Sequence, residues 1–162
     1  MNYFKISLGI FLSLAISRLI PHPPNFTSLI ALSFYVPAIF GIRFIPVLIL
    51  SFAITDFIIG YHSGTHWTWG SVFLISLLSL FLNKTLSFRI LGSFVGACIF
   101  FIVTNFGVWL SGMYGFSLSG VYMTYVMAIP FFAYSIISTL FFSLIIEIGY
   151  KYFSTKFNFK KA

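Results

Sequence analysis

Six apolar runs, separated by short breaks rich in proline, glycine or polar residues, dominate the sequence. A helix needs about 20 residues to cross a hydrocarbon core that is roughly 30 Å thick, and these runs approach that length. They cover residues 3–20, 25–40, 44–60, 69–82, 90–111 and 130–150. The pattern predicts an all-α, polytopic membrane protein with six transmembrane helices in a single domain, residues 1–162. Residues 119–128 are predicted to form a short helix on the outer surface, before Pro130 opens the last span.

Charged residues are too few for a soluble domain. They make up 7% of the 162 residues, whereas 60% are hydrophobic, and soluble domains contain about 25% charged residues. The net charge of +7 comes from basic residues scattered between apolar runs, a pattern typical of membrane topology signals and not of nucleic-acid binding. The first run lacks a small-x-small cleavage site, so we predict a retained helix and not a signal peptide.

The basic residues predict the orientation. If the N-terminus is cytoplasmic and six helices cross, eight of the nine basic residues lie on the cytoplasmic side, in agreement with the positive-inside tendency. These are Lys5, Arg43, Lys84, Arg89, Lys151, Lys156, Lys160 and Lys161. Five or seven spans would leave the basic C-terminal tail outside. We therefore predict a multi-pass protein of the cell inner membrane with both termini cytoplasmic.

Polar and aromatic side chains collect in the outer loops and outer halves of the predicted helices. A few polar groups between aromatic walls are typical of a small-molecule pocket. The candidate substrate-binding residues are His22, Asn25, Asp56, His62, Asn105, Trp109 and Tyr114. For the tryptophan, a belt of aromatic residues at the level of the lipid headgroups is the alternative.

Asp56 needs a partner, because a carboxylate at the centre of a span costs about 2.5 to 3.5 kcal/mol on insertion scales. Arg18 lies at the same predicted depth, so we expect an ion pair, either purely structural or also shaping the pocket. Arg18 opens the segment "RLIPHPPNF", whose prolines predict a stiff outer crossing that holds His22 and Asn25 above Asp56. This segment is interpreted as the rim of the pocket, or as a rigid cap with solvated polar groups.

The fifth predicted helix carries a second line of residues at helical spacing. Cys98, Asn105 and Trp109 share one face. Asn105 is expected either to bond a neighbouring helix or to orient a ligand that stacks on Trp109. Gly92 and Gly96 form a GxxxG pattern, which predicts close helix packing.

Metal binding and catalysis are not predicted. His62 and His66 have the spacing of a zinc pair, but "HSGTH" reads as a loop and no third ligand follows from the spacing. The chain has two acidic residues, and Glu147 is expected to pair with Lys151 one turn further on. The sequence therefore indicates no enzyme, no catalytic residues and no cofactor, and the absence of a Walker loop means that the chain cannot use ATP by itself.

Four motifs spread along the chain resemble a family. "RLIPHPPNF", "DFIIGYH", "TNFGVWLSGMYG" and "AIPFF" are similar to a little-characterised bacterial membrane family often grouped with the substrate-binding S components of energy-coupling factor (ECF) vitamin transporters. The resemblance implies an S-component-like bundle that captures a vitamin or related micronutrient from outside. It also implies docking onto a partner transmembrane subunit driven by two ATPases.

S components typically offer an AxxxA pattern on helix one for this docking, and this sequence has glycine and serine in place of the alanines. Gly9, Ser13 and Ser17 have this spacing here and form the expected docking stripe. Three alternatives remain: a solitary small transporter of the cobalamin type, with Cys98 as a cobalt ligand; a structural or assembly protein; and a small membrane enzyme.

Overall fold

The computed structural model describes residues 3–157, and within that range the chain is all-α. The helices are α1 (Tyr3–Leu19), α2 (Leu29–Phe40), α3 (Ile45–Ile59), α4 (Thr65–Leu78), α5 (Leu86–Leu110) and α6 (Leu118–Phe157), with a 3-10 turn at Ile42–Phe44. The predicted basic residues Lys160 and Lys161 lie outside the described residues, as does the side chain of Lys156.

Helix α2 forms the centre of the bundle. Nine consecutive residues, from Leu29 to Pro37, are buried, and α2 contacts each of the other five helices. An α-helix that is apolar on every side is stable when other helices surround it. Helix α1 packs on α3, and α4, α5 and α6 pack in sequence around the other side of α2.

Small residues on α5 allow this close packing. A side chain at Gly92 would overlap the ring of Phe34 on α2, and one at Gly96 would press on Ile75 of α4. The close packing predicted from the GxxxG pattern is therefore confirmed. Gly107, further along α5, makes the same kind of contact with the indole of Trp67.

Polarity is distributed in the opposite sense to a water-soluble bundle. On α6, Ile137 and Leu144 are 56% and 58% exposed. Ser138, Thr139 and Ser143 on the opposite face are fully buried. A soluble bundle buries the apolar side chains and exposes the hydroxyls.

Three helical segments are long and apolar enough to cross a membrane, by length and composition: Ile42–Ile59, Leu86–Leu110 and Leu118–Thr155. The other helices are shorter than this criterion, with 17 described residues in α1, 12 in α2 and 14 in α4. At ~1.5 Å per residue, α2 is only about 18 Å long.

Helices α4 and α5 begin four residues earlier than predicted. At α4, the Thr65 hydroxyl accepts a hydrogen bond from the His62 backbone N–H (3.2 Å). At α5, the Thr85 hydroxyl caps the helix by accepting from the Phe88 N–H (3.3 Å). The prediction overlooked both threonines, and the earlier start puts Arg89 inside α5.

The prediction of a separate surface helix before Pro130 was wrong, because α6 runs without a break from Leu118 to Phe157. The ring of Phe101 on α5 explains this continuity. It contacts Tyr125 before the proline and Phe132 after it, at centroid distances of 5.6 and 4.4 Å. Both sides of the proline therefore pack on one partner, which offsets the single backbone hydrogen bond that proline removes.

Candidate functional site

A cavity of about 260 Å³ opens at the end of the bundle that carries the α1–α2 loop and the α3–α4 loop. Its polar lining consists of Arg18, His22, Asn25, Thr27, Asp56, His62, Thr68 and Ser135, and its apolar lining of Leu29, Ile30, Phe52, Ile59 and Phe100. Four of the seven predicted substrate-binding residues, namely His22, Asn25, Asp56 and His62, therefore meet at one cavity.

Arg18 and Asp56 form the predicted ion pair, which we call the first ion pair. Arg18 Nη2 lies 2.5 Å from Asp56 Oδ1, and the side chains are 13% and 9% exposed. Arg18 Nη1 also donates to the Thr55 hydroxyl and to the Phe52 carbonyl (3.3 Å). The guanidinium lies over the Phe52 ring, 4.5 Å from its centroid. Arg18 is thus fixed at the wall of the cavity from several directions.

Trp69 completes this site and was not among the predicted residues. Its indole Nε1 donates to Asp56 Oδ2 at 2.6 Å, so both carboxylate oxygens are engaged. Chemistry could have predicted this contact. A partly buried indole N–H usually has a hydrogen-bond acceptor, and Asp56 is the one acidic side chain in the outer half of the predicted topology.

The α1–α2 loop lies over the first ion pair and is hydrogen-bonded to α6. Asn25 has φ of 61°, a left-handed conformation that asparagine tolerates, and its carbonyl accepts from the Ser138 hydroxyl of α6 (3.2 Å). His22 Nδ1 lies 2.7 Å from the Pro23 carbonyl. The Asn25 side-chain amide is exposed and makes no hydrogen bond within residues 3–157. This loop delays α2 to Leu29, four residues after the predicted start.

The α3–α4 loop presents one histidine to the cavity. His62 Nδ1 accepts a hydrogen bond from the Gly64 N–H (3.2 Å), which leaves Nε2 to carry the proton of the neutral ring. His66 lies in the first turn of α4, with its ring tilted against Trp67 at 5.3 Å. Among the described residues, no three His, Cys, Asp or Glu side chains are grouped to hold a metal ion.

The other three predicted residues do not line the cavity. Asn105 Nδ2 donates to the Phe101 carbonyl of its own helix (2.8 Å). Trp109 packs edge-on against Phe116 at 6.5 Å, and its buried Nε1 has no acceptor within the described residues. Tyr114 is 37% exposed in the α5–α6 loop. The predicted stacking of a ligand on Trp109 therefore has no counterpart at this cavity.

The predicted pairing of Glu147 with Lys151 was wrong. Glu147 instead makes a bidentate ion pair with Arg89 of α5, at 2.5 Å from Nε to Oε1 and 2.7 Å from Nη2 to Oε2. A planar guanidinium matches both carboxylate oxygens, whereas Lys151 lies exposed one turn further on. Arg89 Nη1 also donates to the Asn83 carbonyl (3.4 Å). We call this the second ion pair.

The predicted docking stripe is only partly free. The hydroxyls of Ser17 and Ser28 are hydrogen-bonded at 2.7 Å, and the Ser28 hydroxyl also reaches the Ser13 carbonyl (3.4 Å). Gly9 is exposed. Ser13 and Ser17 border a second, mainly apolar cavity of about 450 Å³ between α1 and Phe142 of α6. Cys98 is a half-buried free thiol on α5 that lines neither cavity.

Comparison with known proteins gives a family without an assigned activity. No curated protein and no solved structure matches the chain. The profile of a family of unknown function, DUF6580, matches residues 2–161. This match spans nearly the whole chain and includes every residue of the cavity and of both ion pairs. The chain therefore belongs to the DUF6580 family of unknown function.

Proposed function

We propose that the protein is a six-span protein of the cell inner membrane that binds a small polar micronutrient in the outer cavity and takes part in its uptake. The observation that carries this proposal is the first ion pair at a cavity with two histidines and an asparagine, in a chain with only 7% charged residues. Ionisable groups within membrane segments are costly and commonly mark substrate pathways.

The distribution of polarity supports the membrane location. Exposed apolar side chains on α6 and buried hydroxyls on its other face suit a helix in contact with lipid. The short helix α2 fits this environment because other helices surround it and it has no need to match the thickness of the lipid.

The charges support the orientation. The Tyr3 hydroxyl donates to the Arg43 carbonyl (3.4 Å), so the start of α1 lies beside the α2–α3 turn. This end of the bundle is opposite the cavity in a succession of antiparallel helices, and it also carries Lys5 and Lys84. The positive-inside tendency then makes this end cytoplasmic and the cavity external.

The cavity suits a small ligand. Ligand pockets usually have volumes of roughly 300–1,000 Å³, and this one has about 260 Å³. It favours a single-ring or similarly small molecule over a corrinoid, so the cobalamin-type alternative fits poorly. The free Asn25 amide and His62 Nε2 offer hydrogen bonds, and Phe52 and Phe100 offer apolar contact.

Catalysis is not part of this proposal. Asp56 and Glu147 are the two acidic residues of the chain, and an arginine neutralises each of them. Neither is free to act as a general acid or base. Coupling to an ATP-driven module is the mechanism implied by the resemblance to S components, and the exposed Gly9 and Ser13 leave room on α1 for a partner helix. A solitary transporter is the alternative.

Ligand-dependent thermal stabilisation of the purified full chain tests the proposal. A ligand present at 100 times its Kd stabilises by about 2.7 kcal/mol. We expect such a shift with a member of a panel containing thiamine, riboflavin, biotin and their precursors, and no shift with cobalamin, which is too large for the cavity. Losing one hydrogen bond to the ligand costs about 1 to 3 kcal/mol, so Asn25→Ala and His62→Ala should each weaken binding roughly 5- to 150-fold.

Asn105→Ala is the matched control, because it removes the same amide outside the cavity. Its affinity for the ligand should equal that of the parent. Two results contradict the proposal: no stabilisation by any member of the panel, which moves the assembly-protein alternative ahead, or a loss of binding in Asn105→Ala while Asn25→Ala binds normally. The second result would restore the site predicted on α5.

A further inference from the structure

A buried line of polar side chains runs along α6 from the outer cavity towards the second ion pair. Every fourth residue of this line is polar and buried: Ser135, Thr139, Ser143 and Glu147. Ser135 lines the cavity, and Glu147 pairs with Arg89. Twelve residues at ~1.5 Å each make this line about 18 Å long, more than half of a roughly 30 Å hydrocarbon core.

Some hydroxyls of this line form hydrogen bonds within α6 or to a neighbouring helix, but not all of them do. Ser135 donates to the Phe131 carbonyl of its own helix (3.0 Å), and Ser143 to the Ser93 hydroxyl of α5 (3.1 Å). Serine in membrane helices commonly forms such bonds.

One buried hydroxyl of the line has no hydrogen-bond partner among the described residues. The Thr139 hydroxyl makes no hydrogen bond within the described residues, and the residue is fully buried. The Tyr35 hydroxyl of α2, a second buried group beside the line, interacts with the Glu147 carboxylate and the Ser143 hydroxyl. Buried polar groups are normally hydrogen-bonded, so the Thr139 hydroxyl indicates a position that a polar guest occupies.

We propose that this line is a route for water and a small neutral polar solute through the bundle, and that the second ion pair closes its inner end. This inference rests on the proposed function and extends it: translocation takes place within this chain and not along an interface with a partner. A neutral solute is favoured over a cation because Arg89 already neutralises the Glu147 carboxylate. Hydroxyls replace the solute's hydrogen bonds to water one after another.

The second ion pair has the contacts expected of a closure. It joins α5 to α6, both side chains are 11% exposed, and Arg89 is also tied to the α4–α5 loop through the Asn83 carbonyl. The Tyr150 ring covers the guanidinium at 5.5 Å. With the outer cavity open and this end sealed, the conformation is outward-open.

Thiol labelling from the cytoplasmic side tests the route without any knowledge of the ligand. In the full chain carrying Cys98→Ala, Thr139→Cys and Ser143→Cys are introduced singly and exposed to a membrane-impermeant maleimide in inside-out vesicles. With the second ion pair intact, both thiols should react slowly. Adding Glu147→Gln should speed the reaction by about tenfold or more, because maleimide reacts with the thiolate, which an apolar setting suppresses.

Ile137→Cys is the matched control: it lies at a similar depth but faces outward, and its labelling should stay slow with or without Glu147→Gln. Should Glu147→Gln fail to fold, Arg89→Gln opens the same closure. The charge-swapped Arg89→Glu with Glu147→Arg should restore protection. Thiols that stay unreactive after the pair is broken, or equal acceleration at Ile137→Cys, would overturn the route. Either result leaves the ligand-binding test of the cavity unaffected, so the two failures are distinguishable.

Discussion

Breaking the first ion pair should destabilise the protein strongly and in a way that depends on both partners. Asp56→Asn removes the charge that neutralises the Arg18 guanidinium and leaves it with neutral partners: the asparagine carbonyl, the Phe52 carbonyl and ring, and the Thr55 hydroxyl. Removing one partner of a buried pair costs about 3 to 5 kcal/mol. The side chains here are 13% and 9% exposed, so we expect a value near the lower limit.

The double variant distinguishes a pair from two independent side chains. Arg18→Gln alone leaves the Asp56 carboxylate with the Trp69 indole as its remaining donor. Arg18→Gln combined with Asp56→Asn leaves no uncompensated charge, so its loss should be smaller than the sum of the single losses by about 2 kcal/mol or more, within the usual range of coupling for residues in contact.

Thermal unfolding of the purified protein in detergent measures these losses. At about 2 to 4 °C per kcal/mol for a chain of this size, Asp56→Asn should lower Tm by roughly 6 to 12 °C if the loss is about 3 kcal/mol. Lys84→Gln removes an exposed charge and serves as the control with little change. Strictly additive losses in the double variant would refute the argument that the two residues are energetically coupled.

Three further predictions follow from contacts elsewhere in the bundle. Glu147→Gln should cost about 3 kcal/mol of unfolding free energy, because it leaves the buried Arg89 guanidinium without its counter-charge, whereas Lys151→Gln should cost less than about 0.5 kcal/mol. If thermal unfolding shows a larger loss for Lys151→Gln than for Glu147→Gln, the predicted pairing of Glu147 with Lys151 is restored. Gly92→Ala should lower the free energy of unfolding by about 1 to 3 kcal/mol, because the new methyl group overlaps the Phe34 ring. Gly149→Ala is the control: no atom lies near its new methyl group, so the free energy of unfolding should stay the same or rise by up to about 1 kcal/mol. Trp109→Phe removes a buried donor that has no acceptor within residues 3–157, so the Tm of this variant should stay within about 4 °C of the parent's, equivalent to roughly 1 kcal/mol.

The elements of the fold follow from apolar runs and their breaks, because apolar runs of more than about 12 residues are too long for typical strands and favour helices. The ends of helices were harder to predict. They depend on local hydrogen bonds, as at Thr65 and Thr85, and on partners distant in sequence. Pro130 shows the second effect, since Phe101 holds α6 together across it. No local pattern around a proline contains that contact.

The ion pair of the candidate site could be predicted, because a charged side chain within an apolar segment needs a partner of opposite charge. Asp56 and Arg18 had few other charged residues to pair with, because the chain has so few charges. The depth of each residue followed from the predicted bounds of its helix. The face that α5 turns inward was not predictable from spacing, because periodicity shows which residues share a face but not where it points. The bundle buries the face with Gly92 and Gly96, and Asn105 satisfies its amide on its own helix.

Membrane topology tests the central claim most directly, because the outer cavity and the closed inner end both depend on six crossings. Reporter domains fused within residues 60–64, directly after Lys84 and at the C-terminus are assayed for their side of the membrane in intact cells. Six crossings predict an external reporter at residues 60–64 and cytoplasmic reporters at the other two positions. An external C-terminus, or a cytoplasmic reporter at residues 60–64, would contradict the claim that the cavity of the first ion pair faces outward.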